Sequence, residues 1–591
     1  MEFSIFSKKL SALEVEQSRL VLTELLAKLY LELENDERQP ASYLLQGKLV
    51  PAFDSLEFQL SSKMIIRALA RLLQSGEAMN LFGESDVSLG LDEVNSLYKN
   101  LGDVGLVAEK VRERAPESTK SLSLLEVFSR LEKIARESGA GSQEQKLQKL
   151  TALFEELNPV SCRFVARIII GKLRLGFSVM TLLDALSWAV SGNKSHRDVL
   201  EEAYQKQADI GALAAFFLSH PVEELKDEST ARKKLSEFTV RAGVPIVPAL
   251  CQRLNSATEI IEKMGEVLVE PKYDGLRVQI HKTPEGVRAF SRSLEDVSHM
   301  FPELTLVGSE LRCESCILDA EAIGYDPQTG NLLLFQDTIT RKRKHGIKNA
   351  AEDVPIRFFA FDVMTIEGKS LINTPLFERK DILRAQFDDS DTLQFTPVTK
   401  TSDPIILRQL HDAYLADELE GAVIKKIDSQ YRSGRKGWRW VKIKEAEGTS
   451  GKLADTLDLV IMGYYRGRGK RAAFGMGAFL VGALNDKEEI RTVAKIGTGI
   501  SEEQLTSIKK LCDNSSVPEK PPNFYVDKSL IPDVWTAPEI VVEIAADEIT
   551  RSPNHSAGVA LRFPRLRKIR DDKNWTDATT LEEITQLASL E

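Results

Sequence analysis

Through the first 240 residues or so, apolar side chains recur three or four positions apart with charges between them. Residues 14–33, 121–136, 146–157 and 159–173 show this most clearly, and the spacing predicts amphipathic helices there. Glycines mark the breaks, as in Leu101-Gly102-Asp103 and Gly139-Ala140-Gly141. From about Gly243 the rhythm changes. Gly243-Val244-Pro245-Ile246-Val247-Pro248 reads as a linker, because two prolines keep the backbone extended. Short alternating runs follow at residues 267–270, 276–281, 317–323, 356–363, 422–426 and 440–444, which predict strands with helices between them. A third block starts near Gly451. Its short strands at 457–465, 477–484, 491–496 and 539–545, separated by glycine-rich turns, have the rhythm of a small β-barrel.

At 591 residues the chain is too long for one ordinary domain. With 42% hydrophobic and 28% charged residues it can bury several cores. The formal net charge of −10 excludes a uniformly basic coat, but it leaves room for local basic patches on an acidic body. No apolar run reaches the length of a membrane span, and the first residues lack the pattern of a signal peptide. Five scattered cysteines make no disulfide framework. Cys313 and Cys316 are close, but without a second pair they predict no zinc site. The expectation is a reduced, cytoplasmic protein.

The most informative stretch is Glu270-Pro271-Lys272-Tyr273-Asp274-Gly275-Leu276-Arg277. Lys272 ends an apolar strand, Asp274-Gly275 supplies a tight turn, and the next strand sets Arg277, Gln279 and His281 on one face. A lysine held among other cations and partly desolvated has a lowered pKa, which frees the amine lone pair for covalent catalysis. Taken alone, the four-letter KxDG pattern occurs often by chance, and a surface lysine in a hairpin is then the favoured reading. It is followed in order by Phe290-Ser291-Arg292-Ser293, Leu318-Asp319-Ala320-Glu321, Phe361-Asp362, Glu420-Gly421-Ala422-Val423-Ile424-Lys425 and Trp440-Val441-Lys442-Ile443-Lys444.

This ordered set resembles the nucleotidyltransferase motifs of ATP-dependent DNA ligases. Asp455-Thr456-Leu457-Asp458, Lys495-Ile496-Gly497-Thr498-Gly499 and Leu561-Arg562-Phe563-Pro564-Arg565 are similar to their later motifs. Gly102-Asp103-Val104-Gly105 and Gly171-Lys172-Leu173-Arg174-Leu175-Gly176 resemble the DNA-binding domain of the archaeal and eukaryotic replicative type. The resemblance covers nearly the whole chain. It implies a multidomain protein: an all-α DNA-binding domain (1–239), an α+β nucleotidyltransferase or adenylation domain (240–447) and a β-barrel OB-fold domain (448–591).

The resemblance also implies an activity: sealing 5′-phosphate/3′-hydroxyl nicks in duplex DNA through a lysine–AMP intermediate and an adenylated DNA end, in replication, repair and recombination. Lys272 would be the nucleophile. Glu270 would contact adenine and Phe361 would stack on it. Arg277 and Arg292 would lie near the ribose and phosphates. Glu321 would sit near the ribose, and Glu321 and Glu420 would serve Mg²⁺. Lys442 and Lys444, with Lys425 adding to them, would hold the α-phosphate of ATP. Two positions depart from the family pattern. Lys436 stands where the family has an arginine, with Arg435 beside it, and lysine lacks the planar fork that grips phosphate in two places. Lys568 replaces another arginine in the segment where Arg570, Asp572 and Lys573 fit and would orient pyrophosphate.

Basic clusters support a nucleic-acid partner. Residues 425–444 carry eight Lys or Arg against one acid, and Arg341-Lys342-Arg343-Lys344 and residues 562–573 add further cations. The expected partner is nicked double-stranded DNA, gripped by a monomer. No sliding-clamp docking motif is evident. Other lysine nucleotidyltransferases, such as RNA ligases or mRNA capping enzymes, share KxDG, and a non-catalytic nucleic-acid clamp would share the basic clusters. The long helical block and the barrel opening at Asp455 favour a DNA ligase, and the absence of a four-cysteine module disfavours an NAD-dependent one.

Overall fold

The structure is a computed structural model. It describes all residues except 77–86, 116–119, 255, 334–337, 339–353, 418, 435–436, 444–455, 468–473, 498–499, 547, 571–572 and 590–591. Two compact units emerge, Met1–Leu254 with Thr258–Lys442, and Asn255–Ala257 with Ile443–Glu591.

The N-terminal part of the first unit is helical. Its periodic apolar faces close on a single core that includes Phe3, Phe6, Leu26, Leu69, Leu131, Phe154 and Phe164. The helices start where the sequence supplies a cap. Ser123 opens Leu124–Arg136 with a capping box, and Asn158 caps Pro159–Ile169, with proline at its first turn. Residues 14–33 are not one helix. Phe3–Val15 and Arg19–Glu32 are separate, because Ser18 turns extended and caps the second through the Val21 N–H. The two glycine-bearing motifs of this block meet in space. Asp103 caps helix Val104–Arg112 through the N–H groups of Gly105 and Leu106, and its carboxylate also takes Arg167 (3.1 Å) and Arg174 (3.2 Å). Gly105 has no room for a side chain, since a Cβ would lie 2.7 Å from the Arg163 carbonyl.

The rest of the first unit is built on two sheets. Its strands are β1 (Gln252–Arg253), β2 (Val267–Pro271), β3 (Leu276–Thr283), β4 (Gly286–Ser291), β5 (Cys316–Gly324), β6 (Ile356–Ile366), β7 (Lys369–Ser370), β8 (Leu393–Phe395), β9 (Thr399–Thr401), β10 (Ala422–Lys426) and β11 (Trp440–Ile443). One sheet runs β1-β11-β10-β2-β9. The other runs β4-β3-β5-β6-β7, with β8 beside β6. The expected tight turn between β2 and β3 is therefore not a hairpin: the two strands belong to different sheets, and Lys272–Gly275 is the crossing. Gly275 is required there, because a Cβ would meet the Ala322 carbonyl at 2.7 Å as the chain passes over β5.

The proline-containing segment after Gly243 is docked. The face of β3 that carries Arg277, Gln279 and His281 holds it. His281 Nδ1 accepts from the Gly243 N–H (3.0 Å), Gln279 accepts from Ile246 N–H (2.9 Å), and Arg277 donates to the Ala249 carbonyl (2.6 Å). The Val247 N–H also donates to the Gln205 carbonyl in the helical part (3.0 Å). These bonds explain why the helical block and the sheets form one unit where the sequence reads two blocks.

The second unit is strand-rich. Its strands are β12 (Leu457–Tyr465), β13 (Ala478–Leu484), β14 (Ile490–Ile496), β15 (Ser516–Val517), β16 (Phe524–Tyr525), β17 (Val534–Thr536), β18 (Val541–Ala545), β19 (Glu548–Arg551), β20 (Val559–Arg562) and β21 (Arg565–Ile569). All but β19 and β20 join one sheet, in which β12 pairs with β13, β17 and β18, and β18 pairs onward with β21. Among the described residues no helix is long and apolar enough to cross a membrane.

Candidate active site

Lys272 stands at the end of β2, where its backbone is fixed to the start of β10. Its N–H donates to the Gly421 carbonyl (2.9 Å), and its carbonyl accepts from the Glu420 N–H (3.0 Å). This pairing continues the antiparallel register of β2 and β10 and places Glu420 against Lys272. The ammonium contacts the Glu420 carboxylate, and both side chains are about one-fifth exposed. Glu321, on β5, lies directly opposite Arg277 of β3. Burial raises its pKa to about 7, against the lowering pull of Lys272 and Arg277; Asp319 and Glu420 push it further up. A lysine and two carboxylates thus converge at the crossing between the sheets.

Behind Lys272 lies a box of aromatic rings and cations. β6 carries a bulge: Asp319 of β5 faces Asp362 and Ala320 faces Ala360, which leaves Phe361 as the extra residue. A bulge redirects a side chain, and Phe361 here turns toward Trp440, edge to face at 6.1 Å. The Arg277 guanidinium lies 5.4 Å from the Phe361 ring centre and 5.5 Å from that of Trp440; the Lys425 ammonium lies 4.4 and 4.2 Å from the same rings. Arg277 is held bidentate by Asp319, at 3.0 and 2.7 Å, and Asp319 also accepts the Tyr431 hydroxyl (3.0 Å). Burial works against the Arg277 charge, but Asp319 outweighs it, so the guanidinium pKa is raised. Lys442, half-buried on β11, completes the ring of positive charge. The thiol of Cys251 registers it: burial raises its pKa, while Arg277, Lys425, Lys272 and Lys442 all pull it down.

Glu270 is only 2% exposed and its carboxylate sits between two ammonium groups, Lys380 at 2.5 Å and Lys425 at 2.7 Å. Lys380 comes from helix Leu376–Arg384, and burial, the largest effect, lowers its pKa to about 8 against the raising pull of Glu270. In the same core Asp362 and Arg379, both fully buried, form a bidentate pair at 2.8 and 2.9 Å. Tyr273 stacks on Phe359 with ring centres 4.3 Å apart, which braces the chain just after Lys272.

The structure thus gathers Lys272, Glu270, Arg277, Glu321, Phe361, Glu420 and Lys442 in one region. Arg292 lies one residue beyond the Val278–Ser291 pair, at the Arg277 end of the sheet, with an exposed side chain. Arg435, Lys436 and Lys444 lie outside the described residues, as does the run Arg341–Lys344. Arg570 belongs to the second unit, where it meets Asp458 at 3.1 Å and Lys573 meets the same carboxylate at 2.7 Å. Motif reading gives no role to Asp319, Tyr431, Trp440, Cys251 or Lys380. The alternation of Asp319 with Glu321 on one strand carries a signal for the first. Lys380 sits in an ordinary amphipathic helix and has none.

The donor set suits Mg²⁺. Among the described residues no group of three or more His, Cys, Asp and Glu side chains is arranged to hold a metal ion. Glu321 and Glu420 offer oxygens only, and Mg²⁺ commonly takes one or two carboxylates with substrate phosphates and water as its remaining partners.

Three family models match the chain: DNA ligase N terminus over residues 2–187, ATP dependent DNA ligase domain over 248–444, and ATP dependent DNA ligase C terminal region over 472–573. A protein of Dictyoglomus thermophilum described as a probable DNA ligase is 37% identical, with 99% of this chain and 97% of that protein covered. DNA ligase 2 of Thermofilum pendens is 34% identical over the same shares. A solved structure titled Pmar-Lig_Pre is 15% identical, with a TM-score of 0.50 over 96% of this chain and 99% of that one, which is a likeness of fold. With full-length relatives above 30% identity and family models along its length, the chain belongs to the ATP-dependent DNA ligase family.

Proposed function

We propose that this protein seals nicks in duplex DNA with ATP, and that Lys272 carries the AMP. The observation that supports this most directly is Lys272 fixed at a sheet crossing, beside Glu420 and near Glu321, in front of the Phe361–Trp440 box. In the first step the neutral Lys272 amine attacks the α-phosphorus of ATP. The resting ammonium has first given up one proton; a P–N bond then forms, the P–O bond to pyrophosphate breaks, and the new P–N nitrogen sheds a second proton to water. Glu420 holds the resting ammonium and lies where it can guide its proton to water. The 5′-phosphate at the nick then attacks the same phosphorus and breaks the P–N bond. Finally the 3′-hydroxyl attacks the 5′-phosphate and AMP leaves.

All three steps are phosphoryl transfers, so placement and charge neutralisation do most of the work. Phe361 offers a ring face to the adenine. Arg277, fixed by Asp319, and Lys442 face the phosphates, and the motif pattern assigns Arg292, Lys436, Arg435 and Lys444 to the same nucleotide. Glu270 serves through Lys425, which it fixes against Phe361 and Trp440. Mg²⁺ held by Glu321 and Glu420 would neutralise charge on the phosphate oxygens. We assign three functional domains, 1–239, 240–447 and 448–591, with the last an OB-fold carrying Arg570 for pyrophosphate; the matched spans 2–187, 248–444 and 472–573 fall one within each. The test is labelling with ATP carrying ³²P at the α-position, with Mg²⁺ and no DNA. An acid-labile label on the peptide containing Lys272 is expected. Label on another residue, or none, would overturn the assignment.

A further inference from the structure

A cleft of about 410 Å³ opens where the helical part of the first unit meets the sheets, and it shares Tyr431 with the Asp319–Arg277 pair. Its walls carry Lys206, Arg232, Arg432 and Arg439, with Glu202 the one carboxylate among them. Glu202 is engaged by Arg232 at 3.3 Å. Among the described residues Arg432 meets only neutral amide oxygens, of Asn373 (3.3 Å) and Gln430 (2.5 Å). Among the described residues no carboxylate lies within ion-pair distance of Lys206 or Arg432. Lys206 is half-buried, and burial lowers its pKa; Glu202 opposes this, while Arg432 and Arg232 push the same way. The C-terminal dipole of helix Arg197–Lys206 offsets part of the Lys206 charge, but it does nothing for Arg432.

The cleft cannot relax by drifting apart. Its floor, Ile246 and Tyr431, is buried. The chain beside it is bonded on both sides, with the Ala208 N–H on the Pro245 carbonyl (3.0 Å) and the Val247 N–H on the Gln205 carbonyl (3.0 Å). Like charges fixed in a half-buried cleft repel unless an anion enters, and guanidinium and ammonium donors match phosphate oxygens.

We propose that this cleft is a phosphate site, filled by a backbone phosphate of the nucleic-acid substrate, which ties the helical part and the sheets to the same strand. The identity of the polyanion rests on the ligase reading, and a contact of this kind positions DNA without reading its sequence. Free phosphate or pyrophosphate is the other source of the same chemistry.

The test compares the full-length protein with its Lys206→Met and Arg432→Met variants in binding nicked duplex across a salt series, with Lys206→Arg as the conservative control. Each lost phosphate contact should reduce the slope of log affinity against log salt by about 0.9. The affinity advantage of the parent should then shrink about threefold to fourfold over a fourfold rise in salt, and Lys206→Arg should keep the parent slope. Unchanged slopes in both Met variants would overturn the proposal. Unchanged DNA binding with loss of pyrophosphate binding, titrated by calorimetry without DNA, would overturn the nucleic-acid assignment in favour of a free anion. Labelling of Lys272 by ATP alone separates these outcomes from failure of the ligase reading: a parent that labels while its variants bind DNA normally sinks only the cleft.

Discussion

Replacing Glu270 by glutamine removes one negative charge from between two buried ammonium groups and changes almost nothing in volume. At 2.5 and 2.7 Å, and with an effective dielectric near 20, each pair attracts by about 6 kcal/mol before desolvation is charged against it. Most of that is offset by burial, but removing one partner strands the others, and such changes cost about 3–5 kcal/mol. The amide oxygen can still accept from one ammonium, while the amide NH₂ must face the second. Urea unfolding of the first unit should therefore show Glu270→Gln destabilised by about that amount at neutral pH.

The deficit should depend on pH, and the sign follows from Lys380. Its pKa in the fold is about 8, below the unfolded value of about 10.4. Between those values the unfolded chain binds more protons, so stability rises with pH in that window. As Lys380 loses its proton in the parent, the Glu270–Lys380 attraction fades there too, and the gap to Glu270→Gln narrows as pH climbs through about 8. Adding Lys380→Met to the variant removes the stranded ammonium, with a coupling of about 1–3 kcal/mol expected from the double-mutant cycle. A deficit below about 1 kcal/mol that is also flat with pH and unrelieved by Lys380→Met would refute the buried triad.

Other outcomes follow from neighbouring groups. Asp362→Ala leaves Arg379 buried without its partner and should cost about 3–5 kcal/mol; unfolding at the parent's denaturant midpoint would contradict this. Glu321, raised to about 7 by burial, costs stability when it ionises as pH rises through 7, yet only the ionised form can hold a cation. The Mg²⁺ concentration for half-maximal self-adenylation should therefore fall as pH rises through about 7, and Glu321→Gln should flatten that trend; an unchanged trend in the variant would rule Glu321 out as its source. Phe361→Ala should raise the KM for ATP in self-adenylation more than it lowers the rate at saturation, whereas Phe361→Tyr should stay near the parent; equal KM values would remove Phe361 from the base site.

Local pattern carried the elements well, because helical and strand periodicities are set by neighbours a few residues away. The strands at 267–270, 317–323 and 422–426 fall on β2, β5 and β10, and the strand-rich end begins at Leu457. What the pattern could not carry was the pairing of distant segments. Asp274-Gly275 looks like a hairpin turn in sequence, but β2 takes β10 and β9 as neighbours and β3 takes β4 and β5. The partner of Lys272 comes from 148 positions later, at Glu420. Likewise the two prolines after Gly243 show an extended chain, but not that Arg277, Gln279 and His281 hold it against β3. Glu270 shows the limit for side chains: its place in a motif says nothing of Lys380, which reaches it from helix Leu376–Arg384 with no motif around it.

The most direct measurement is nick sealing on a labelled duplex with ATP and Mg²⁺, with Lys272→Ala run in parallel and both proteins checked for folding. Sealing by the parent and none by the variant is the predicted result. Sealing by a folded Lys272→Ala protein, or none by the parent under conditions where it carries AMP, would contradict the assignment of Lys272 as the nucleophile of a DNA-joining enzyme.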